Sequence, residues 1–380
     1  MLTNKKWSVW CFLLLLSVLG CKKEDLLNVT AVTNPEAGII LVSPFKMNDN
    51  NSGRLMILNE KGELIKEKKT AGQANNFQRW VVNGKIIYSY HEHIPSMYHI
   101  PNVNTLPGEV VLLDTGLNEI KRIRTLPYES ASLTSDALDL HDFILINENH
   151  YLVMSYYEKA VNNIPAALKP VQNAKIAGPI IQEIKDGVAV WEWDGSDFPE
   201  FYQNSVEGNK FNDGSQTDDY MHINSMFIDP TDGNLICSFR NLDQVVKIQR
   251  TTGNILWRLG GANSDFVLTS EQKFYRQHHA TLADDNKTLL IFDNGLKGVR
   301  DYSRIIEFGL DEVNKTVKNF TSFNLPGNSF SEFMGSVQKR GDTYFIGQGS
   351  DPVVSEVNYK TGEVKLKVQL SDYSYRAFKY

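Results

Sequence analysis

Three histidines and one arginine stand at corresponding places in the chain, each beside a short apolar run. His141, His222 and His278 each come just before such a run, and Arg240 directly follows the run 235–239. Imidazole titrates near neutral pH and serves as nucleophile, acid or base, whereas a guanidinium presents forked hydrogen-bond donors to an oxyanion. These residue types indicate a site for an anionic group, provided that the fold brings them together.

Several chemistries fit this set of side chains. Three imidazoles could bind Zn²⁺ with an open fourth position, but the histidines lack HxH or HxxxH spacing and Arg240 would repel a cation. The same groups could instead hold a sulfate or phosphate ester through hydrogen bonds. They could also carry out covalent transfer, with one imidazole as nucleophile and a second as acid or base. Alternatively, each histidine packs in the core or at a rim and does no chemistry.

The elements that must position these residues are short β-strands. Runs of four to seven β-branched and aromatic residues recur along the chain, bounded by Gly, Asn, Asp and Pro, and long segments of helical period are absent. We interpret the range 164–184 as a loop-like insertion with room for helical turns. The sequence therefore predicts an all-β fold.

Two hairpin units alternate along the chain and predict its architecture. In the first unit, two apolar runs flank a turn with Gly or Asn. It occurs six times, from the turn at Gly62 to the turn at Gly362, at a mean spacing of 60 residues. The second unit falls between these, for example in 80–90 and 226–239. Two hairpins per period make a four-stranded sheet, and six such sheets predict a six-bladed β-propeller, whose radial closure hides the sheet edges.

The three histidines share one phase of this repeat. Each stands at the start of the first strand of the second unit, in three successive blades. Equivalent positions on the innermost strands of a propeller ring one mouth of the central channel. We therefore expect His141, His222 and His278 to converge at one mouth. Because a hairpin returns to the end where it began, we expect Arg240 at the same mouth, beside His222.

Short motifs around these residues resemble a known family, the bacterial arylsulfate sulfotransferases that use no nucleotide sulfate donor. The motifs are His222-x-Asn224-Ser225, Ser238-x-Arg240-Asn241, Gln277-His278 and Phe292-Asp-Asn-Gly295, and the resemblance covers roughly residues 37 to 370. The family is a six-bladed propeller, in agreement with the repeat count. The resemblance implies small-molecule aryl sulfate and phenol substrates, and no cofactor.

The resemblance also implies a role for each residue at the mouth. His278 would attack the sulfuryl group of an aryl sulfate ester and form a sulfohistidine while the phenol leaves. A second phenol would then take the sulfuryl group, in ping-pong order. His141, His222 and Arg240 would bind the sulfuryl oxygens and manage protons for the leaving and attacking phenols.

Three more residues are predicted to contact the substrate. Asn224 matches a neighbouring polar position of the family and is expected to form hydrogen bonds. Tyr156 and Phe239 are candidates for stacking on a phenol ring. His279 follows His278 directly. Adjacent strand residues point to opposite faces, so we expect only one of them to face the channel and assign His278 from the Gln-His motif.

Two other functions remain open from the residues alone. The propeller could be a surface protein that captures a sulfated or other anionic glycan without turning it over. It could also be a sulfate-ester hydrolase that uses water as the acceptor at the same site. The best-known family members carry an extra N-terminal β-domain for which this chain has little room, so its oligomeric state stays open.

The first 20 residues have the pattern of a bacterial lipoprotein signal peptide. Two lysines precede the apolar run 9–19, which is too short to span a bilayer, and Val-Leu-Gly-Cys resembles a lipobox ending at Cys21. We expect a lipid on Cys21, a tether over 21–36 and the propeller over 37–380. The protein would then be anchored to a membrane on its periplasmic or cell-surface side. An ordinary signal peptide with a chance cysteine is the alternative.

The net charge limits which partners are expected, and the cysteine content limits which disulfides are expected. The net charge is −6, and removal of the segment with its two lysines would take it to −8. A negative chain of this kind argues against nucleic acid as a partner, because phosphate binding requires a basic face. Cys237 would be the one cysteine left in the fold, so no internal disulfide is expected.

Overall fold

A computed structural model describes residues 26–47, 49–103, 106–128 and 138–380. Within these ranges, 25 strands form six antiparallel sheets, five of four strands and one of five. The sheets are the blades of a six-bladed β-propeller, which confirms the fold class predicted from the hairpin repeat. The predicted signal peptide and Cys21 lie outside the described residues.

Each blade is a meander whose strands follow one another from the propeller axis outward. β1 (Leu27–Val32) is the outermost strand of the last blade. Blade 1 contains β2 (Ile40–Phe45), β3 (Arg54–Leu58) and β4 (Leu64–Lys69). Blade 2 contains β5 (Ala74–Val82), β6 (Lys85–His93), β7 (Gly108–Leu113) and β8 (Glu119–Ile123). Blade 3 contains β9 (Phe143–Asn147), β10 (His150–Val161), β11 (Ala174–Lys185) and β12 (Val188–Asp194).

The second half of the ring has the same plan. Blade 4 contains β13 (Ile223–Ile228), β14 (Leu235–Phe239), β15 (Gln244–Ile248) and β16 (Ile255–Gly260). Blade 5 contains β17 (His278–Leu282), β18 (Thr288–Asp293), β19 (Arg304–Asp311) and β20 (Thr316–Asn324). Blade 6 contains β21 (Ser336–Arg340), β22 (Thr343–Gly347), β23 (Val353–Asn358) and β24 (Val364–Leu370). The last strand, β25 (Tyr373–Lys379), is the innermost strand of blade 1.

Helical structure is short and lies between strands. It comprises α1 (Pro199–Asn204) and the single 3₁₀ turns Ala166–Leu168, Gly195–Asp197, Arg240–Leu242 and Pro326–Asn328. In the part of the chain that the structure describes, no helix has the length and apolar character needed to cross a membrane.

Strands from both ends of the chain complete the ring. β25 pairs with β2 from Ile40↔Lys379 to Phe45↔Tyr373, and β1 pairs with β24 from Leu27↔Leu370 to Val32↔Leu366. The second unit of the sequence repeat is the inner hairpin of each blade, and in blade 1 this hairpin is divided between β25 and β2 at the two ends of the chain. β1 lies inside the range 21–36 for which the sequence predicts a tether, so ordered pairing with the propeller begins at Leu27.

The hydrophobic core lies between the faces of neighbouring blades. Ile181 and Trp193 of blade 3, for example, belong to one buried cluster with Met226 and Val246 of blade 4. Comparable clusters join the other blades. Each fully buried side chain of this size stabilises the fold by roughly 1.5–3 kcal/mol. The blades are thereby held at fixed angles, which fixes the six innermost strands around the axis.

The interpretation of 164–184 as a loop-like insertion is wrong for most of that range. Only Ala166–Leu168 forms a helical turn, whereas β11 (Ala174–Lys185) pairs with β10 along its whole length. Pro179 lies inside β11, although proline cannot donate a backbone hydrogen bond. Its position is tolerated because the pairing of β11 with β12 starts only at Ile180.

The closure of the ring leads to a stability prediction. Lys379 of β25 forms an ion pair with Glu356 of β23, and both side chains are fully buried. Replacing Glu356 with leucine leaves the ammonium group in the interior without its counter-ion. We expect the free energy of unfolding, measured by urea denaturation, to fall by about 3–5 kcal/mol.

The double variant Glu356→Leu/Lys379→Met is the matched control. It replaces both charges with apolar groups, and a buried ion pair often gains little over such a replacement because desolvation offsets the attraction. We therefore expect the double variant to recover most of the loss. An equally large loss in both variants would show that the unpaired charge is not the cause.

Candidate active site

The three histidines predicted to converge lie together at one mouth of the axial channel. His141 and His222 meet edge to face, with ring centroids 4.7 Å apart. His278 lies close enough for the charges of Arg240, His141 and His222 to act on its pKa. All three histidines are buried, with 3–7% of their surface exposed. The backbone N–H of Arg240 donates to the carbonyl oxygen of His222 at 2.9 Å, which places the arginine beside this group.

Irregular backbone turns these side chains toward the axis. His222 and His279 adopt left-handed conformations, with φ of 52° and 47°. The strand pairing shifts register between Ile223 and Ser225 and again between His278 and Thr281. Such bulges redirect side chains next to functional sites, and a left-handed residue other than glycine costs roughly 1–3 kcal/mol. The surrounding sheet stabilises a local geometry that these residues would not adopt alone.

His141 and His222 each share one ring nitrogen with a carboxylate. Nδ1 of His141 hydrogen-bonds to Asp139, and Nδ1 of His222 hydrogen-bonds to Asp219 at 2.6 Å. A carboxylate at this position fixes Nδ1 as the donor and supports a positive charge on the ring, so Nε2 is free to face a ligand. Burial nevertheless lowers the pKa of His141, against the opposing effect of Asp139.

His278 has a different partner. Its Nδ1 lies 2.7 Å from the amide oxygen Oδ1 of Asn294 and 3.1 Å from the carbonyl oxygen of Arg276. Both are neutral acceptors, so Nδ1 carries the proton and Nε2 keeps its lone pair. The backbone N–H of Met334 donates to Nε2 at 3.2 Å. Burial and the Arg240 charge hold the pKa of His278 well below its ordinary value of 6.5.

Asn294 is a functional candidate to which sequence analysis assigned no role. Its amide nitrogen donates to the carbonyl oxygens of Ser331 and Met334, which fixes the amide orientation and leaves Oδ1 for His278. The Phe292-Asp-Asn-Gly295 motif contains this residue, but the motif alone does not show which side chain faces the histidine.

Arg240 contacts a carboxylate at the outer edge of the mouth. Its Nη1 donates to Glu207 at 3.0 Å and to the side-chain oxygen of Asn241 at 2.6 Å. The same Glu207 carboxylate pairs with Nε of Arg276 at 2.9 Å. Glu207 lies on the segment after α1, and its side chain is 46% exposed. An entering anion would therefore compete with Glu207 for the guanidinium.

The three predicted substrate contacts differ in their surroundings. Tyr156 lies at the mouth, with its ring centroid 6.4 Å from that of His222 and its hydroxyl donating to the carbonyl oxygen of Ile223. Asn224 is fully buried below the mouth and donates to the carbonyl oxygen of Gln277 at 2.7 Å. Phe239 is also fully buried and packs between Trp193 and Phe201, so its surroundings favour core packing over contact with a substrate.

Two residues of β25 were missed by sequence analysis. The ring of Tyr375 lies 5.5 Å from that of His141, and its hydroxyl donates to the carbonyl oxygen of Asn224 at 3.1 Å. Arg376 pairs with Asp142 at 3.1 Å in the interior of the channel. Only closure of the ring brings the last strand to the axis, and no repeat motif marks β25 as the innermost strand of blade 1.

The expectation that only one of His278 and His279 faces the channel is wrong. His278 lies at the histidine mouth, whereas His279 lines the channel farther along the axis and accepts a hydrogen bond from the backbone N–H of Val337 at 3.2 Å. Strict alternation of side chains fails because the bulge and the left-handed His279 interrupt the strand. Both imidazoles therefore reach the axis, in different layers.

The site residues do not form a metal centre of the usual kind. Across the described ranges, no group of three or more His, Cys, Asp or Glu side chains is arranged to hold a metal ion. Asp139 and Asp219 already engage Nδ1 of two of the histidines. The site instead brings together hydrogen-bond donors and one imidazole whose Nε2 accepts a hydrogen bond from the backbone N–H of Met334.

Comparisons with known proteins show the family of the chain and proteins of similar fold. The periplasmic gluconolactonase PpgL of Pseudomonas aeruginosa has a similar fold over 90% of this chain and 99% of its own, with a TM-score of 0.50 and 9% identity. A protein of unknown function from Bacteroides caccae is similar over 90% of this chain and 99% of its own, with a TM-score of 0.49 and 10% identity. No curated protein matches the chain. The family model for arylsulfotransferases (ASST) matches residues 30–380, and the chain belongs to that family.

Proposed function

We propose that the protein transfers a sulfuryl group from an aryl sulfate ester to a phenol, through a sulfohistidine at His278. One observation carries the proposal. Of the three histidines at the mouth, His278 alone has neutral hydrogen-bond acceptors at Nδ1, and burial beside Arg240 holds its pKa well below 6.5. A neutral imidazole with a directed Nε2 lone pair is the form that a nucleophile requires.

In the first half-reaction, the Nε2 lone pair of His278 gives up its hydrogen bond with the backbone N–H of Met334 and attacks sulfur, and the bond between sulfur and the aryl oxygen breaks. The leaving phenolate takes a proton from the His141–His222 pair. Nδ1 of His278 keeps its proton, and Asn294 stabilises the charge that develops on the ring. In the second half-reaction the pair removes a proton from the acceptor phenol, the phenolate oxygen attacks sulfur, and the N–S bond breaks. Atoms and charges balance without a cofactor.

Charge on the sulfuryl oxygens needs fixed donors. Arg240 supplies a guanidinium at the edge of the mouth, and Nε2 of His141 and of His222 supplies further donors when those rings are protonated. Donors held in place before reaction lower the barrier because little reorganisation is needed, and the loss of one such donor typically costs about 2.7–4 kcal/mol. Tyr156 beside His222 offers an aromatic surface for the phenol ring.

We also propose that the protein is a lipoprotein outside the cytoplasm. The lysine-preceded apolar run and the lipobox-like Val-Leu-Gly-Cys support cleavage after residue 20, a lipid on Cys21 and an anchor to a membrane on its periplasmic or cell-surface side. The propeller domain predicted for 37–380 would then project from that membrane with its aromatic substrates supplied from outside the cell.

A label on His278 tests the mechanism directly. After incubation of the protein with p-nitrophenyl sulfate and no acceptor, mass spectrometry of its peptides should find a sulfuryl group on His278. The variant His278→Ala should lose both the label and p-nitrophenol release by several orders of magnitude, because the nucleophile is absent.

The variant His150→Ala is the matched control, because His150 is a half-buried histidine bound to Glu183 and lies far along blade 3 from the mouth. The His150→Ala variant should keep both the sulfuryl label on His278 and the release of p-nitrophenol. Release that does not depend on an added phenol would indicate a hydrolase. Saturable binding of the ester without release or label would indicate a binding propeller.

The protonation state of His278 gives a pH prediction. Because its pKa in the folded protein lies well below 6.5, the ring should stay neutral as pH falls through 6.5, where an ordinary imidazole becomes protonated. Nitrogen NMR of histidine-labelled protein should show one ring, absent from His278→Gln, that remains neutral at pH 6.5 with its proton on Nδ1. A titration midpoint near 6.5, or a proton on Nε2, would contradict the assigned role.

Glu207 gives a prediction on donor binding. Because its carboxylate occupies Arg240, the variant Glu207→Gln should lower KM for p-nitrophenyl sulfate by up to about fivefold, as a half-exposed ion pair contributes roughly 0.2–1 kcal/mol. The value of kcat should change little. The control is Glu200→Gln, an acid of comparable exposure on α1 that pairs with Arg258. A raised KM in Glu207→Gln would mean that Glu207 supports binding of the donor.

A further inference from the structure

The axial channel contains a second cavity at the end opposite the histidine mouth. It has a volume of about 660 Å³, and all six innermost strands contribute to its wall. None of His141, His222, His278 and Arg240 lines it. Small-molecule sites in proteins typically have volumes of about 300–1,000 Å³, so the cavity has the size of a ligand site.

A buried polar layer forms the inner end of this cavity. Arg376 and Asp142 line it and pair with each other at 3.1 Å. On the side toward the histidines, Arg376 donates to the carbonyl oxygen of Asn224 at 2.8 Å, and the neighbouring Tyr375 contacts His141. A molecule in the cavity is therefore separated from His278, and this site is distinct from the proposed transfer site.

The charges on the cavity wall leave one guanidinium without an acid. Lys379 pairs with Glu356, and Lys339 pairs with Glu307. Arg79 has no acidic partner among the described residues and lies over the ring of Tyr380 at 5.6 Å. Asp284 is the acid nearest the outer rim and is exposed to solvent. An anion entering the cavity would find Arg79 available.

A second guanidinium, that of Arg376, lies at the inner end of the cavity and is paired with Asp142. Nε of Arg376 is buried and has no hydrogen-bond partner among the described residues. A buried donor left unsatisfied typically costs about 1–3 kcal/mol, more when the group is charged. Because this atom has no exposed surface, a ligand in the cavity would not contact it directly.

The remaining wall is aromatic. Trp80, Phe378 and Tyr380 line the cavity from blades 2 and 1. Trp80 and Tyr380 are partly exposed. Flat rings of this kind bind planar apolar groups, and the Arg79 guanidinium, which lies over the Tyr380 ring, places a positive charge beside them. A ring and an anion are therefore recognised side by side.

We propose that this cavity binds a small aromatic monoanion, with its ring against Trp80 and Tyr380 and its carboxylate or sulfate on Arg79. This binding site is separate from the proposed transfer site, and ligand binding there does not depend on sulfuryl transfer. Arg376 and Asp142 form the inner end of the cavity, which such a ligand contacts.

Calorimetric titration of the full chain with naphthalene-2-carboxylate tests the proposal. This probe carries a ring and one negative charge but no sulfuryl group. We expect one saturable site whose affinity falls at least tenfold in Arg79→Gln. It should be unchanged in Lys85→Gln, which removes an exposed cation of the same blade outside the cavity. The uncharged naphthalene-2-carboxamide should bind at least tenfold more weakly.

Two further variants separate this site from the histidine mouth. Thr281→Trp should fill the cavity and abolish binding of the probe without removing a charge. This variant tests the cavity even if Arg79→Gln does not fold. His278→Ala should lose sulfuryl transfer yet bind the probe as the parent protein does. Loss of probe binding in His278→Ala, unchanged binding in both Arg79→Gln and Thr281→Trp, or the absence of a saturable site would overturn the proposal.

Discussion

The organisation of the channel depends on the buried ion pair between Asp142 and Arg376. Asp142 directly precedes the innermost strand of blade 3, and Arg376 belongs to the strand that closes the ring in blade 1. Asp142 also accepts hydrogen bonds from the backbone N–H of Met226 in blade 4 and from the side chains of Asn76 and Gln78 in blade 2. Four blades thus meet at one carboxylate. A buried pair stabilises only when its remaining polar atoms are satisfied, and here backbone and amide groups supply most of those partners.

This layer gives the histidine mouth a floor, and the three histidines above it have different hydrogen-bond partners. His141 and His222 face carboxylates at Nδ1, whereas His278 faces the amide of Asn294. An anionic partner favours a ring that can donate, and a neutral partner together with burial favours a ring with a lone pair. Three imidazoles within one mouth can therefore divide the roles of nucleophile and proton carrier. The residues that hydrogen-bond to Nδ1 of each histidine set this division of roles, and they do not themselves take part in the reaction.

The sequence predicted the propeller because turn residues and apolar runs recur with a fixed spacing, and each blade repeats a local pattern. The same phase argument predicted that His141, His222, His278 and Arg240 meet at one mouth. It could not find Arg376 or Tyr375, because strand β25 becomes axial only through pairing with β2 across the whole chain. It also failed at His279, since the left-handed backbone there is a tertiary effect that alternation does not encode. Phe239 showed that an aromatic residue at the right phase can still belong to the interface between blades.

The layer formed by Asp142 and Arg376 affects the sequence of steps in the proposed reaction. With Asp142 and Arg376 across the axis, the cavity at the other end of the channel does not lead to the histidine mouth, so substrates of the proposed reaction would enter from the histidine end. A donor and an acceptor phenol then use the same end of the channel. In the proposed reaction the first phenol leaves before the second reaches sulfur, and the sulfuryl group is held meanwhile on the protein. A covalent carrier at His278 fulfils that role, and burial of the three histidines limits access of water to the stored group. Entry from the histidine end thereby favours transfer in two steps over direct exchange between two bound phenols.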